Sequence, residues 1–410
     1  MKQNKNKVFR LIGQVQHYAW GGVSFLPRLL HLPNPDGKPF AEYWLGAHDK
    51  ACSILVLSAE QTIKLNEYIQ TSPAETLGNY AQQRFGRLPY LLKILDVKDM
   101  LSIQVHPSKI SAENKFEEEN RRGIALNAAN RNYKDNNHKP ELMLALCEFW
   151  LLHGFKTEDQ LMWTLQHIPV LNFLLPVFEK GGYEELYRTV MEMNQSKVNE
   201  VLQPLLDKII PAYQNKQLEK NDENFWAARA ALTFNEGGKT DRGIFSIYFF
   251  NLVNLRPGEA IFQDAGLPHA YLEGQNVEIM ANSDNVLRGG LTSKHIDVKE
   301  LMSHVKFEAN VPDILHGKDA GEHVQLFITH APDFELSKIE LKKGKAVSLS
   351  SDSAAICIVL GGNIIVQENQ DNQFDLEAGE AFISFDKSQF QLKAMKDAVL
   401  YRATVPSPQE

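Results

Sequence analysis

The residue types best able to do chemistry fall in three short pieces of the chain. Gln104-Val105-His106 ends an apolar run; side chains alternate along an extended strand, so Gln104 and His106 share one face. Asn137-His138-Lys139-Pro140-Glu141 precedes the apolar run Leu142 to Leu146, and Pro140 biases Lys139 toward extended backbone, putting Lys139 and Glu141 on a common side. His269, preceded by Pro268, is the third piece. Gln104, His106, Glu141 and His269 together offer one amide oxygen, two imidazoles and one carboxylate, a set that can hold a divalent metal and leave room for substrate or water. Zinc is the first candidate, although glutamine is not among its usual ligands. Spacing alone equally allows ordinary barrel-facing polar residues plus a loop histidine.

A fourth stretch runs from Glu278 to Lys294. Gly289 and Gly290 lie between Arg288 and Lys294 and free the backbone to turn both cations toward one small anion, a candidate phosphate clamp. The plainer alternative is a solvated loop with two surface cations. Asp297 and Glu300 bracket a helix start and are given structural roles. His17, His48, His153 and His167 lack partners at ligand spacing and read as core or surface residues.

The elements that must position these residues are mainly β. Residues 1 to about 155 carry short apolar or alternating runs, such as Cys52 to Leu57 and Met100 to Val105, between Gly, Pro and polar clusters. From 156 to about 235 the period changes: Val198, Val201, Leu202, Leu205, Leu206, Ile209 and Ile210 follow helical spacing. Thr157 and Gln160 form a capping-box signature at the entry, and Pro204 predicts a kink or a break between two helices. Strand-forming sequence resumes at Ile247 to Leu255.

Two segments, Leu255 to Phe262 and Leu376 to Ile383, share the form Leu-x-x-Gly-Glu-Ala-apolar-apolar and imply two related β units, as in cupin jelly rolls. His269 lies ten residues beyond Glu259, whereas Phe390 lies ten beyond Glu380, so the second unit is read as a support without metal. The expected fold is mainly β with an α-helical insertion, built on cupin-like double-stranded β-helix barrels. Its domains are 1–155 with 240–318 (discontinuous, catalytic), 156–239 (helical) and 319–410 (C-terminal β).

The chain's 410 residues are too many for one core, and 43% hydrophobic with 23% charged residues is ordinary globular usage. A formal net charge of −8 disfavours nucleic acid and anionic membranes as partners, so cations that hold an anionic ligand must be local. Four basic residues occur among the first ten, but no apolar run of signal-peptide length follows, and no stretch approaches the ~20 apolar residues of a membrane span. Cys52, Cys147 and Cys357 are odd in number and lack CxxC spacing, which fits a cytoplasmic protein.

Six motifs resemble the type I mannose-6-phosphate isomerases, zinc-containing cupin-like enzymes. They are Tyr18-Ala19-Trp20-Gly21, Ala41-Glu42-Tyr43-Trp44-Leu45-Gly46, Leu101-Ser102-Ile103-Gln104-Val105-His106-Pro107, Asn137 to Glu141, Pro268-His269-Ala270-Tyr271 and Ser283 to Lys294. The resemblance covers residues 1 to about 300, interrupted where that family also carries a helical domain. Ser293 stands where the family usually has proline, and Gly289 where it commonly has a small residue such as alanine; neither change removes a functional group.

The resemblance implies one Zn2+ per chain on Gln104, His106, Glu141 and His269. It also implies a sugar-phosphate substrate, a monomer rather than an oligomer, and a place in carbohydrate metabolism and GDP-mannose biosynthesis. The implied reaction is reversible isomerisation of mannose 6-phosphate and fructose 6-phosphate through a zinc-stabilised enediol. Zinc held by one carboxylate keeps a formal excess of one positive charge, which suits a Lewis acid. Candidate catalytic groups are Lys139 for proton transfer, Asp284 and His138 for ring opening or orientation, Arg288 for phosphate or the reacting oxygens, and Lys294 and Glu278. Ser102, Lys93 and Trp20 join Arg288 and Lys294 as substrate-pocket candidates. Two other readings are an iron-dependent cupin oxygenase, which leaves the cations unexplained, and a sugar-phosphate sensor without turnover.

Overall fold

The alternating and apolar runs of the first 155 residues form strands in a computed structural model that describes residues 6–407. The centre of the first sheet is the 13-residue strand His269–Ala281, buried along almost its whole length. Its first part pairs with Phe149–Phe155, and its second part lies between Tyr90–Val97 and Glu141–Ala145. The change of neighbours occurs at Gly274, whose φ of 134° and 2.5 Å approach of a built Cβ to the Phe149 ring leave room for no side chain. Glu42–Gly46 and Gln14–Gln16 extend this sheet beyond Tyr90–Val97, and Phe250–Leu255 extends it beyond Phe149–Phe155. The two-residue strand Gln104–Val105 bridges the His269 strand to Leu287–Arg288.

A second, nine-stranded sheet holds most of the C-terminal unit, and a four-stranded sheet (Ala346–Ser351, Ser388–Ala394, Asn363–Gln367, Gln373–Glu377) completes it. The nine-stranded sheet also takes in Val8–Ile12, Ile54–Ser58 and Gln61–Lys64, with Val8 opposite Ser384 and Leu11 opposite Ala381. Sheet membership therefore does not follow the chain boundary expected at residue 318: N-terminal strands tie the two β units together. The repeated Gly-Glu-Ala segments form the same feature twice, a turn with Gly258 at φ 90° and Gly379 at φ 92° before the strands Ala260–Gln263 and Ala381–Ser384. At Gly379 a Cβ would sit 1.9 Å from the Leu29 carbonyl oxygen.

The middle of the chain is helical, with Glu158–His167, Leu175–Glu192, Gln195–Gln214 and Glu223–Phe234 as its main helices. Thr157 and Gln160 make the reciprocal capping box. Pro204 breaks nothing. Gln195–Gln214 runs through it as one helix, held by the buried stripe Val198, Leu202, Leu205, Leu206 and Ile209, whose packing outweighs the lost backbone bond. The discontinuity lies instead at Gly182, at φ 63° inside Leu175–Glu192. The run from Ile247 was expected to be strand; Gly243–Phe249 is a helix and the strand begins at Phe250. All seven residues of that helix are buried, and an apolar run without alternation does not distinguish the two conformations. A helix at Lys109–Arg121 also lies within the segment read as mostly strand. Among the described residues, no helix is long and apolar enough to cross a membrane.

Candidate metal centre and surrounding pocket

His106, Glu141 and His269 come from three separate strand ends, and one ligand atom from each lies within 4.8 Å of the others. Sheet register brings them together. His269 is opposite Gln104, Gln104 is also opposite Arg288, and Glu141 faces Gln263 on one side and Met280 on the other. His106 is fully buried, and Glu141 and His269 are 3% and 2% exposed, so each donor is removed from competing water.

The imidazoles are oriented from behind. His106 Nδ1 is 2.8 Å from the Asn285 carbonyl oxygen and His269 Nδ1 is 2.9 Å from that of Leu267. A neutral ring has one N–H; donated at Nδ1 to a carbonyl, it leaves Nε2 as a lone pair. Both Nε2 atoms are buried without a hydrogen-bond partner among the described residues. They face the Glu141 carboxylate at 3.5 Å (His106 to Oε1) and 3.3 Å (His269 to Oε2). With each ring proton on Nδ1, two imidazole lone pairs and the Glu141 carboxylate converge on one point, a donor set that a metal cation fits. Two nitrogens and one carboxylate suit a divalent ion of the zinc type. Burial, partly offset by Glu141, holds the His106 pKa down at about 4, so the ring stays in its metal-ready neutral form. Burial would raise the Glu141 carboxyl, but Lys139 and His106 together hold it well below its ordinary value. Gln104 lies beside this group in register, and its side chain makes no hydrogen bond among the described residues.

Lys139 Nζ lies 2.9 Å from Glu141 Oε1, as its extended backbone implied. Lys93 is committed elsewhere: its ammonium is 2.8 Å from Glu278, 3.7 Å from Glu42 and 5.2 Å from the centre of the Trp44 ring. Burial alone would lower the Lys93 pKa, but Glu278, Glu42 and Glu141 hold it above its usual value. Burial, reinforced by Glu141 and Glu42, raises the Glu278 carboxyl.

Asp284 accepts from Lys50 at 2.8 Å and lies 3.6 Å from His48, so His48 has a partner that its sequence context did not reveal. The Arg288 guanidinium and the Lys294 ammonium have no ion-pair partner among the described residues. Burial lowers the pKa of both, and Arg288 and Lys50 add to the shift at Lys294, which makes this a locally cationic patch short of counter-charge. Trp20 stacks on the half-exposed Tyr18 at 5.8 Å. Among the described residues Ser102 makes no side-chain hydrogen bond, and its neighbours Leu101 and Ile103 donate backbone N–H groups to Tyr271 and Gly290.

His138 is not among the converging groups. Its Nε2 meets Asp333 Oδ2 at 2.7 Å, because adjacent side chains in an extended segment point to opposite sides and Lys139 takes the metal side. Sequence reading also passed over Asp135. Its carboxylate accepts from the Ser283 hydroxyl, the Asn285 amide and the backbone N–H groups of Asn137 and Asp284, joining the loop that leads to Glu141 to the loop that leads to Arg288. Its place three residues before His138, amid Asn and Lys, was the available signal.

Residues 8–158 match the family described as phosphomannose isomerase type I, catalytic domain. The mannose-6-phosphate isomerase of Escherichia coli (strain K12) is 36% identical over 390 residues, 94% of this chain and 96% of its own. The chain belongs to the mannose-6-phosphate isomerase family. The human member is 31% identical over 431 residues, 97% of this chain and 98% of its own. A solved mannose 6-phosphate isomerase from Salmonella typhimurium, bound to the substrate f6p and to zinc, superposes with a TM-score of 0.86 at 33% identity, covering 98% of this chain and all of that one. The family relationship thus spans both β units and the helical block, beyond the first 300 residues that carry the motifs.

Proposed function

We propose that this chain interconverts mannose 6-phosphate and fructose 6-phosphate, with one zinc ion held by His106, Glu141, His269 and the free amide of Gln104. The carrying observation is the pair of buried imidazole Nε2 atoms that converge on the Glu141 carboxylate at 3.5 and 3.3 Å, without a hydrogen-bond partner among the described residues. When bound there, zinc supplies Lewis-acid polarisation of a sugar oxygen.

The remaining chemistry belongs to the chain's own side chains. Isomerisation moves a proton between the two carbons that exchange carbonyl character, through an enediol. Lys139, beside Glu141 and nearly buried, is assigned that transfer. Glu278, whose carboxyl burial raises, is the alternative. Lys93 neutralises the floor beneath them. Asp284 is assigned to ring opening or orientation, and Arg288 and Lys294, cations without counter-charge, to the phosphate. Trp20 and Ser102 line the approach. His138 acts from behind.

The fold reading that accompanies this function is a pair of cupin-like jelly rolls, 1–155 with 240–318 and 319–410, around a helical domain at 156–239, with the strands at 8–12 and 54–64 shared. We read the protein as a cytoplasmic monomer.

Metal analysis beside a coupled isomerase assay tests the function. One zinc per chain is expected, with activity lost on chelation and restored by zinc. Binding of mannose 6-phosphate without fructose 6-phosphate formation would point to a sensor, and oxygen uptake by iron-loaded protein to an oxygenase.

A further inference from the structure

The segment that brings Lys139 and Glu141 to the metal centre is held from the opposite side by the C-terminal unit. Asp333 lies between the strands Val324–Phe327 and Glu335–Leu341, is 2% exposed, and is flanked by the buried Ala331 and Phe334. Those two side chains belong to the core shared by both β units, so the carboxylate is fixed by packing. His138 Nε2, at 2.7 Å, is its only side-chain partner among the described residues. A buried carboxylate with one partner makes that contact costly to break.

The geometry of 138 to 141 transmits this constraint. Pro140 keeps Lys139 extended, so His138 and Lys139 point to opposite sides of one short backbone stretch. One end is tied to Asp333 at 2.7 Å and the other to Glu141 at 2.9 Å. Rotation of the His138–Lys139 peptide would break one contact or the other.

We propose that Asp333 is a positioning residue for the isomerisation: through His138 it fixes the backbone that presents Lys139 beside the metal centre. The C-terminal unit thereby contributes to turnover and not only to stability. This rests on the isomerase reading, whose own test is turnover by the unaltered zinc enzyme; absent that turnover, the function fails before the variants are interpreted.

The experiment compares zinc-loaded wild type, D333A, D333N, H138A and D333A/H138A in kcat, KM for mannose 6-phosphate, zinc content and melting temperature. Misplacement of a catalytic group by a fraction of an ångström to 1 Å lowers turnover by about 10- to 100-fold. We expect that loss in kcat for D333A, with KM within about three-fold and one zinc retained, because the phosphate anchors and metal ligands are untouched. D333N keeps an acceptor for the imidazole N–H and should recover most of kcat. D333A should add nothing in the H138A background, since both act through one contact. If D333A does not accumulate folded, D333S takes its place with the same expectations. Wild-type kcat in folded, zinc-loaded D333A or D333S, or an undiminished D333 effect in the H138A background, overturns the proposal.

Discussion

His153 offers a quantitative test of the burial behind the metal centre. It sits opposite His269 in register, with Nδ1 3.1 Å from the Asn310 amide nitrogen and Nε2 3.2 Å from the Phe262 carbonyl oxygen. The neutral ring with its proton on Nε2 satisfies both: it accepts from Asn310 and donates to Phe262. A second proton would set an N–H against the Asn310 NH2. Burial, with a smaller contribution from the His269 imidazole, accordingly lowers its pKa from 6.5 to about 3. The unfolded chain takes up a proton as pH falls below 6.5, but the folded protein does not until about 3, so folded stability is complete above that window and lost through it. At roughly 1.4 kcal/mol per pH unit, the loss is about 2 kcal/mol by pH 5. Gln at 153 can accept from Asn310 and donate to Phe262 without titrating. Denaturant unfolding of chelator-treated wild type and His153→Gln at pH 7.5 and pH 5 isolates this group, since every other titration is common to both proteins. Wild type should lose about 2 kcal/mol more than the variant over that interval. Losses equal within about 0.5 kcal/mol would refute the reasoning.

Lys93→Met should destabilise the protein by about 3–5 kcal/mol by leaving Glu278 and Glu42 buried beside each other, and a second change, Glu278→Gln, should recover part of that; denaturant midpoints of the single and double variants check it. Gly379→Ala places a methyl against the Leu29 carbonyl at a left-handed position and should cost about 1–3 kcal/mol, read as a lower melting temperature, while Gly258→Ala, with open space around it, should cost less. Glu141→Gln removes the only anionic donor of the cradle. Its zinc affinity, measured by competition with a chromogenic chelator, should fall by more than the ~10–100-fold typical of residues that merely support ligands.

What could be read in the sequence, and what could not, follows from the range of each interaction. His106, Glu141 and His269, which the structure brings together, stood out because each follows or opens an apolar strand, where a polar side chain needs a purpose. Lys139 was placed correctly beside Glu141 because Pro140 dictates the local backbone. Partners 185 to 195 residues away, such as Glu278 for Lys93 and Asp333 for His138, are set by sheet register and domain packing, of which no local pattern speaks. The helix Lys109–Arg121 buries only Ala112 and Glu119, so it carries no apolar stripe to betray it. At Pro204 the local penalty was legible, but the tertiary packing that keeps Gln195–Gln214 one helix without a break was not.

X-ray absorption at the zinc edge tests the metal centre most directly. The predicted spectrum has nitrogen and oxygen scatterers alone at about 2.0–2.2 Å, with imidazole features for two histidines that fall to one in His106→Ala or His269→Ala. Sulfur scattering near ~2.3 Å, or a spectrum unchanged by either substitution, would contradict a zinc ion held by these residues.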